Sequence, residues 1–289
     1  MQAASTDAAA PIAARASRPL VYRQSAWTRI THWVWAFAMF FLLLSGLQIF
    51  NAHPALYLGR QSGFGFDNAL VRIAAEDSAA GPRGYVDVLG TKWNTTGVLG
   101  LSGSADDPAF QAFPSWATIP SFHDLATGRV VHFFFAWVFV GALLVWLVAS
   151  LWNGHLRRDV APGAVDLRAL PQDVKDHAHF RFHHTRAYSP LQKLSYAGVL
   201  FVVMPLIVVT GLAMSPSFNA TVPFLNDLLG GRQTARTIHF ACMALLVLFF
   251  VVHMLMVVAA GPFNELRSII TGWYRIDPPD SSQQPQPGE

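Results

Sequence analysis

Four stretches of the chain are apolar for the length of a bilayer crossing: residues 33–50, 130–152, 194–214 and 238–260. None of them contains Asp, Glu, Lys or Arg, and the charges stand at their entrances, as Arg29, Arg129, Lys193 and Arg236. A helix needs roughly 20 residues to cross about 30 Å of hydrocarbon, and each run is of that order. The pattern predicts an all-α, integral membrane four-helix bundle with spans at about 30–50, 130–152, 194–214 and 238–260. Pro205 should kink the third span. The connector 51–128 lies between the first two spans and is long for a loop. It carries Gly, Pro and aromatic clusters without helical periodicity, so short helices lying on the membrane surface are expected there.

The ends of the chain read differently. Residues 1–24 are Ala-rich and basic, a partly disordered N-terminus, and residues 276–289 form a polar, proline-rich tail that is also expected to be disordered. Residues 25–275 are read as one domain. The first span is too long for the apolar segment of a cleaved secretory signal and is read as an uncleaved anchor. Composition agrees with the span pattern: 53% of the 289 residues are hydrophobic and 13% charged, where a soluble domain carries about a quarter. Nothing in the sequence calls for nucleic acid.

Flanking charge sets an orientation. Arg15, Arg18, Arg23 and Arg29 precede the first span. Arg157, Arg158, Arg168, Lys175, Arg181, Arg186 and Lys193 lie between the second and third, whereas the 51–128 segment holds more acids than bases. Lys and Arg accumulate on the cytoplasmic side. Both termini and the 153–193 loop are therefore expected in the cytoplasm, with 51–128 as a periplasmic loop. A multi-pass protein of a bacterial inner membrane is the expectation.

The candidate chemistry is in the histidines. His32 opens span one, His132 opens span two, and His239 and His253 share span four. Ionisable side chains at membrane depth are costly and usually functional. A separation of 14 residues is about 1,400° of arc, 40° short of four turns, and roughly 21 Å of helix axis. His239 and His253 therefore leave one face of one helix near opposite sides of the membrane. With the spans oriented as above, His32 shares a depth with His253, and His132 with His239. Two imidazoles at one depth in a helical bundle suit a bis-His haem b, so two haems b are expected. Zinc or di-iron sites need more ligands than each depth offers, and the spans hold no carboxylate. Cys242 is the single cysteine, which excludes an internal disulfide and a C-x-x-C-H attachment of c-type haem.

Arg29, Arg129 and Arg236 each precede a histidine by three residues, one turn toward the membrane surface. They stand where haem propionates could be received; snorkelling is the plainer alternative. Spans one and three each carry a Ser/Thr-Gly-Leu triplet, Ser45-Gly46-Leu47 and Thr210-Gly211-Leu212. Gly46 and Gly211 would let a bulky ring or a neighbouring helix approach the backbone. His53 and His123 are read as residues outside the membrane; His123 lies half a turn out of phase with His132.

The layout resembles the b-type cytochrome subunits of membrane-bound hydrogenases, formate dehydrogenases and thiosulfate reductases, the bacterial cytochrome b561-like family. The matching residues are R-x-x-H-W at 29–33, R-x-x-H-F-F-F-A-W at 129–137, P-L-Q-K at 190–193, T-G-L-A-M-S-P at 210–216, and R-x-x-H with a second His at 236–253. The resemblance covers roughly 22–275 and is most specific around the four histidines. It implies electron transfer between quinone and a periplasmic redox protein, such as a molybdopterin oxidoreductase, with no catalytic residue in this chain. It also implies a quinone site beside the start of span three. There the family's Tyr-Asn-x-x-Gln-Lys is Tyr188-Ser189-Pro190-Leu191-Gln192-Lys193, so Ser189, Gln192 and Lys193 are the candidates, with Ser in place of Asn. His177, His179, His183 and His184 could bind a metal, shuttle protons or be solvated. A stand-alone quinone oxidoreductase acting on superoxide or another small external substrate is the competing reading, and a haem-free anchor or transporter a third. The net-acidic 51–128 segment favours docking of a partner over attraction of a small anion. The sequence leaves a homodimer open.

Overall fold

The computed structural model describes residues 18–63, 66–104, 106–182 and 184–277. The first 17 residues, His183 and the tail beyond 277 lie outside the described residues, and with them most of the expected N-terminal and C-terminal segments. The chain begins with β1 (Leu20–Tyr22) and enters α1 (Ala26–Asn51). Ser25 caps that helix, its Oγ accepting from Thr28 N at 3.1 Å. Strands β2 (Ala55–Leu56), β3 (Val71–Ser78), β4 (Gly81–Val88) and β5 (Thr91–Asn94) follow, then the short pair β6 (Ser102–Gly103) and β7 (Pro108–Ala109). Next come α2 (Leu125–Trp152), α3 (Ala164–Ala178), α4 (Pro190–Gly198) and α5 (Met204–Met214). After α6 (Pro216–Thr221), α7 (Phe224–Leu228), α8 (Arg232–Ala260) and α9 (Pro262–Thr271), the described chain ends with β8 (Trp273–Arg275).

Among the described residues, four helical segments are long and apolar enough to cross a membrane: Ala26–Asn51, Leu125–Trp152, Pro190–Met214 and Arg232–Ala260. Each starts before the apolar run that announced it. The added turn is polar, capped and arginine- or lysine-bearing, so hydropathy alone marks only the hydrocarbon part. Asp124 caps α2 by accepting from Thr127 N at 3.0 Å. The third segment is α4 and α5 joined by a π-turn, Val199–Val203. Pro205 has no N–H for the carbonyl four residues back, and the wider turn just before it absorbs that break.

The bundle core lies between α1, α2 and the third segment. Trp35, Ala38, Phe139, Trp146 and Met204 are buried there, with the Trp35 and Trp146 rings 5.7 Å apart. The opposite faces are apolar and exposed: Leu248, Phe250, Val251 and Leu255 on α8, and Phe134, Trp137 and Val148 on α2. A continuous apolar exterior of this kind is stable only against lipid. β1 pairs antiparallel with β8. Residues 20–22 and 273–275 therefore stand at the same end of the bundle, as four spans require.

The connector between α1 and α2 is where expectation and structure differ most. It is not a set of short surface helices. Strands β2-β3-β4-β5 form an antiparallel sheet, with only one helical turn, Ser115–Ala117, in the described part of the segment. Period two shows in 71–94 only over short runs, which a search for helical periodicity passes over. Leu89 and Gly90 both take positive φ, 51° and 85°, in the two-residue turn that joins β4 to β5. The sheet rests on the bundle through a second core of Phe50, Leu56, Ile73 and Ala112. Asn51, at the end of α1, anchors the returning chain with both side-chain atoms, donating to Phe113 O and accepting from Phe113 N.

Candidate functional site

The helices bring the four histidines together in two pairs. The His32 and His253 rings have centroids 6.5 Å apart, tilted by 54°. The His132 and His239 centroids are 6.3 Å apart, tilted by 58°. The pairing follows the topology: α1 and α8 each present one histidine near the end shared by β1 and β8, and α2 and α8 present the others near the end shared with the sheet. α8 is unbroken from Arg232 to Ala260, so its two histidines are roughly 21 Å apart along the axis.

These distances test what could sit between the rings. Two imidazoles on opposite sides of one metal, each nitrogen about 2 Å from it, have centroids roughly 6.3 Å apart. Both pairs have that spacing, and among the described residues neither has a third candidate donor. Among the described residues no group of three or more His, Cys, Asp or Glu could hold a metal ion. The donor set therefore fits a haem iron, which would ask no more than two ligands of the protein.

At the sheet end each ring is held in the same way by a different helix. His132 Nδ1 stands 3.1 Å from Ser45 Oγ on α1. His239 Nδ1 stands 3.1 Å from Thr210 Oγ1 on α5 and 3.0 Å from the Ile207 carbonyl. A bond at Nδ1 sets the tautomer and leaves Nε2 to ligate. The next residue in each case is glycine. A Cβ on Gly46 would meet His132 Cε1 at 3.3 Å, and one on Gly211 would meet His239 Cε1 at 3.3 Å. The two glycines thus make room for the imidazoles. The repeated Ser/Thr-Gly-Leu triplet was visible in the sequence, but the orienting role of its hydroxyl was not inferred from it.

The two ends are built differently. His32 Nδ1 is buried with no hydrogen-bond partner. His253 stacks on Phe249 of its own helix at 5.8 Å and 17°. The arginines one turn before the histidines also diverge. Arg236 donates to the His53 carbonyl and lies 5.3 Å from the Phe50 ring centroid. Arg129 lies over Phe133, 5.6 Å from its centroid. Arg29 Nη1 donates to Ile270 O at 2.7 Å, while its Nε is buried without a partner. His53 stacks on Tyr57 at 5.6 Å, and burial, then Arg236 and Arg72, hold its imidazole below the ordinary value.

The start of the third span has its polar groups occupied by structure. Ser189 Oγ accepts from Gln192 N at 3.3 Å, and Gln192 Oε1 accepts from Ser189 N at 3.1 Å, a capping box. Lys193 Nζ donates to both oxygens of Asp166, at 2.9 and 3.0 Å. The loop histidines are separately engaged. His177 Nδ1 pairs with the Asp173 carbonyl, His179 Nδ1 with the Lys175 carbonyl and His184 Nδ1 with Tyr274 Oη.

Residues 99–272 match the family model described as prokaryotic cytochrome b561. A relative from Azospira oryzae, named as a protein-methionine-sulfoxide reductase subunit (YedZ1), is 27% identical over 235 residues, which are 80% of this chain and 87% of that one.

Proposed function

Because the chain belongs to the prokaryotic cytochrome b561 family, we propose that this membrane b-type cytochrome holds two haems b and links the quinone pool to a separate oxidoreductase subunit. The observation that carries the reading is the pair of histidine pairs, with centroids 6.5 and 6.3 Å apart on three different helices. His32 and His253 would hold one haem, and His132 and His239 the other. Haem iron, when bound, supplies reversible one-electron chemistry.

The protein's share is position and environment. Gly46 and Gly211 let the rings seat, and Ser45, Thr210 and the Ile207 carbonyl orient them. The lipid-facing helices keep water from the space between. Arg29, Arg129 and Arg236 would set the charge at the polar edges of the two haems. The Lys- and Arg-rich 153–193 loop favours placing the His32/His253 end, with both termini, in the cytoplasm. The sheet between α1 and α2 would then face the periplasm and receive the partner. The name of the Azospira relative supports an arrangement in which the membrane cytochrome and the reducing or oxidising subunit are separate chains.

The test is purification of the full chain in mild detergent after haem-replete expression. A reduced-minus-oxidised spectrum with b-type bands and two haems per chain is expected, with a soluble redox subunit co-purifying from the native membrane. A colourless protein sinks the reading. One haem per chain sinks the two-site part of it.

A further inference from the structure

We infer that α9, the short helix after the last span, supplies Arg267 and Ser268 to a carboxylate cradle completed by Arg29, and that this cradle takes the propionates of the haem between His32 and His253. The inference rests on the reading of that pair as haem ligands and adds a helix outside the four spans to the site.

The cradle is defined by donors without acceptors. Arg29 Nε, Arg267 Nη1 and Ser268 Oγ are all buried with no hydrogen-bond partner, as is His32 Nδ1. They belong to one junction. Arg29 precedes His32 by one turn on α1, and its Nη1 donates to Ile270 O on α9 at 2.7 Å. Arg267 is one turn before Ile270 on α9, and Ser268, 3% exposed, is next to it. A buried guanidinium N–H left unpaired is expensive, and two beside a hydroxyl call for anionic oxygens. The nearby protein carboxylates are already engaged. Glu265 accepts from Tyr274 Oη at 2.9 Å, and Asp277 accepts from the His184 amide and pairs with Arg18. Among the described residues no nearby carboxylate is left to supply the missing oxygens, which points to a group that is not part of the chain.

The sheet end offers no such set. There Arg236 is spent on the His53 carbonyl and Arg129 lies over Phe133. The buried oxygens without partners at that end, Asn68 Oδ1, Asn226 Oδ1 and Gln233 Oε1, are acceptors. Among the described residues, a cradle of donors that selects carboxylate is thus found at the His32/His253 end. Cations there favour the reduced haem, since reduction adds negative charge next to them.

The experiment is a redox titration of the purified full chain, read by absorbance, with haem stoichiometry measured on the same samples. His253→Ala comes first. Loss of one haem signal assigns that signal to this end, and loss of neither overturns the ligand reading itself before α9 is touched. Arg267→Gln should then lower the potential of the assigned signal, by up to about tenfold in the reduction equilibrium or ~59 mV for one electron, and weaken retention of that haem alone. Arg267→Lys should restore most of the shift, and Ser268→Ala should give a smaller one, which keeps the test alive if Arg267→Gln does not fold. Unchanged potentials and haem content in Arg267→Gln, or a shift confined to the other signal, overturn the proposal. An anionic lipid could offer the same oxygens as phosphate. Phosphorus that co-purifies with the wild type and is lost from Arg267→Gln, with both potentials unchanged, assigns the site to lipid and overturns the haem assignment.

Discussion

Thr210 Oγ1 stands 3.1 Å from His239 Nδ1, and Ser45 Oγ stands 3.1 Å from His132 Nδ1. Two helices that carry no histidine at this depth therefore each orient, on their neighbour, a histidine proposed as a haem ligand. Replacing Thr210 with Val keeps the volume and removes the hydroxyl. The Ile207 carbonyl still accepts at 3.0 Å, so retention of that haem should weaken by about tenfold, the low end of the outer-shell range. Ser45→Ala should cost about the same, because the Leu42 carbonyl hydrogen-bonds His132 as the Ile207 carbonyl does His239. Haem retention in dilution series of the two variants checks this, and a loss in one variant alone would count against it.

The adjoining glycines should be less forgiving. Gly46→Ala and Gly211→Ala each bring a Cβ to 3.3 Å from a histidine Cε1, close enough that the ring must give way by a few tenths of an ångström. Gly46→Val and Gly211→Val add two further carbons at that point, and each should expel the haem at the sheet end while leaving the other. One haem per chain by pyridine haemochrome, with an unchanged second signal, is the expected result. Retention of both haems in Gly211→Val would mean that the imidazole does not seat against α5.

How much of this was legible in the sequence depended on period and on charge. The four helices were, because 18 to 23 consecutive uncharged apolar positions have few other uses. The depth pairing of the histidines was, because it follows from helix direction alone. The sheet was not: 71–94 alternates over short runs interrupted by Gly81, Pro82 and Gly90, and strand signals that short are weak beside four membrane spans. Arg267 and Ser268 were equally invisible. They lie after the last apolar run, and it is the structure that folds α9 back on the start of α1, through Arg29 donating to Ile270 O and the Arg23 and Gln24 amides donating to Gly272 O.

The attachment of the sheet segment to α8 gives a prediction that leaves the haems alone. Gly59 O accepts from Gln233 N at 3.0 Å and from Thr234 N at 3.3 Å, and Gly59 N donates to Thr234 Oγ1 at 2.7 Å. A backbone segment from the connector thus caps the start of α8. Gly231 lies against it at φ 111°, and a Cβ there would meet Gly59 O at 2.4 Å. Gly231→Ala combines backbone strain with a clash, of order 1–3 kcal/mol. The connector should come loose, with faster proteolysis between 60 and 70 and weaker partner binding. Both haem signals should stay in place, and their loss would show that the cap also sets the position of His239.

Lys193 separates a structural from a quinone-binding role for the start of the third span. It donates to both Asp166 oxygens, and α3 is tied a second time by Leu191 N donating to Asp173 Oδ2 at 2.8 Å. The Gly163 amide, then Lys193, hold the Asp166 carboxyl below its ordinary value of 3.8. A carboxyl whose folded value is depressed stabilises the fold above its unfolded value and loses that contribution as pH falls through the folded one. The α3–α4 contact should therefore be insensitive to pH between 5 and 8 and weaken only below about 4. Lys193→Ala should produce the acid-like state at neutral pH, seen as faster backbone hydrogen exchange across 164–178 with haem content unchanged. If exchange stays at the wild-type rate while the KM for quinol rises, Lys193 meets the quinone and its pairing with Asp166 is incidental.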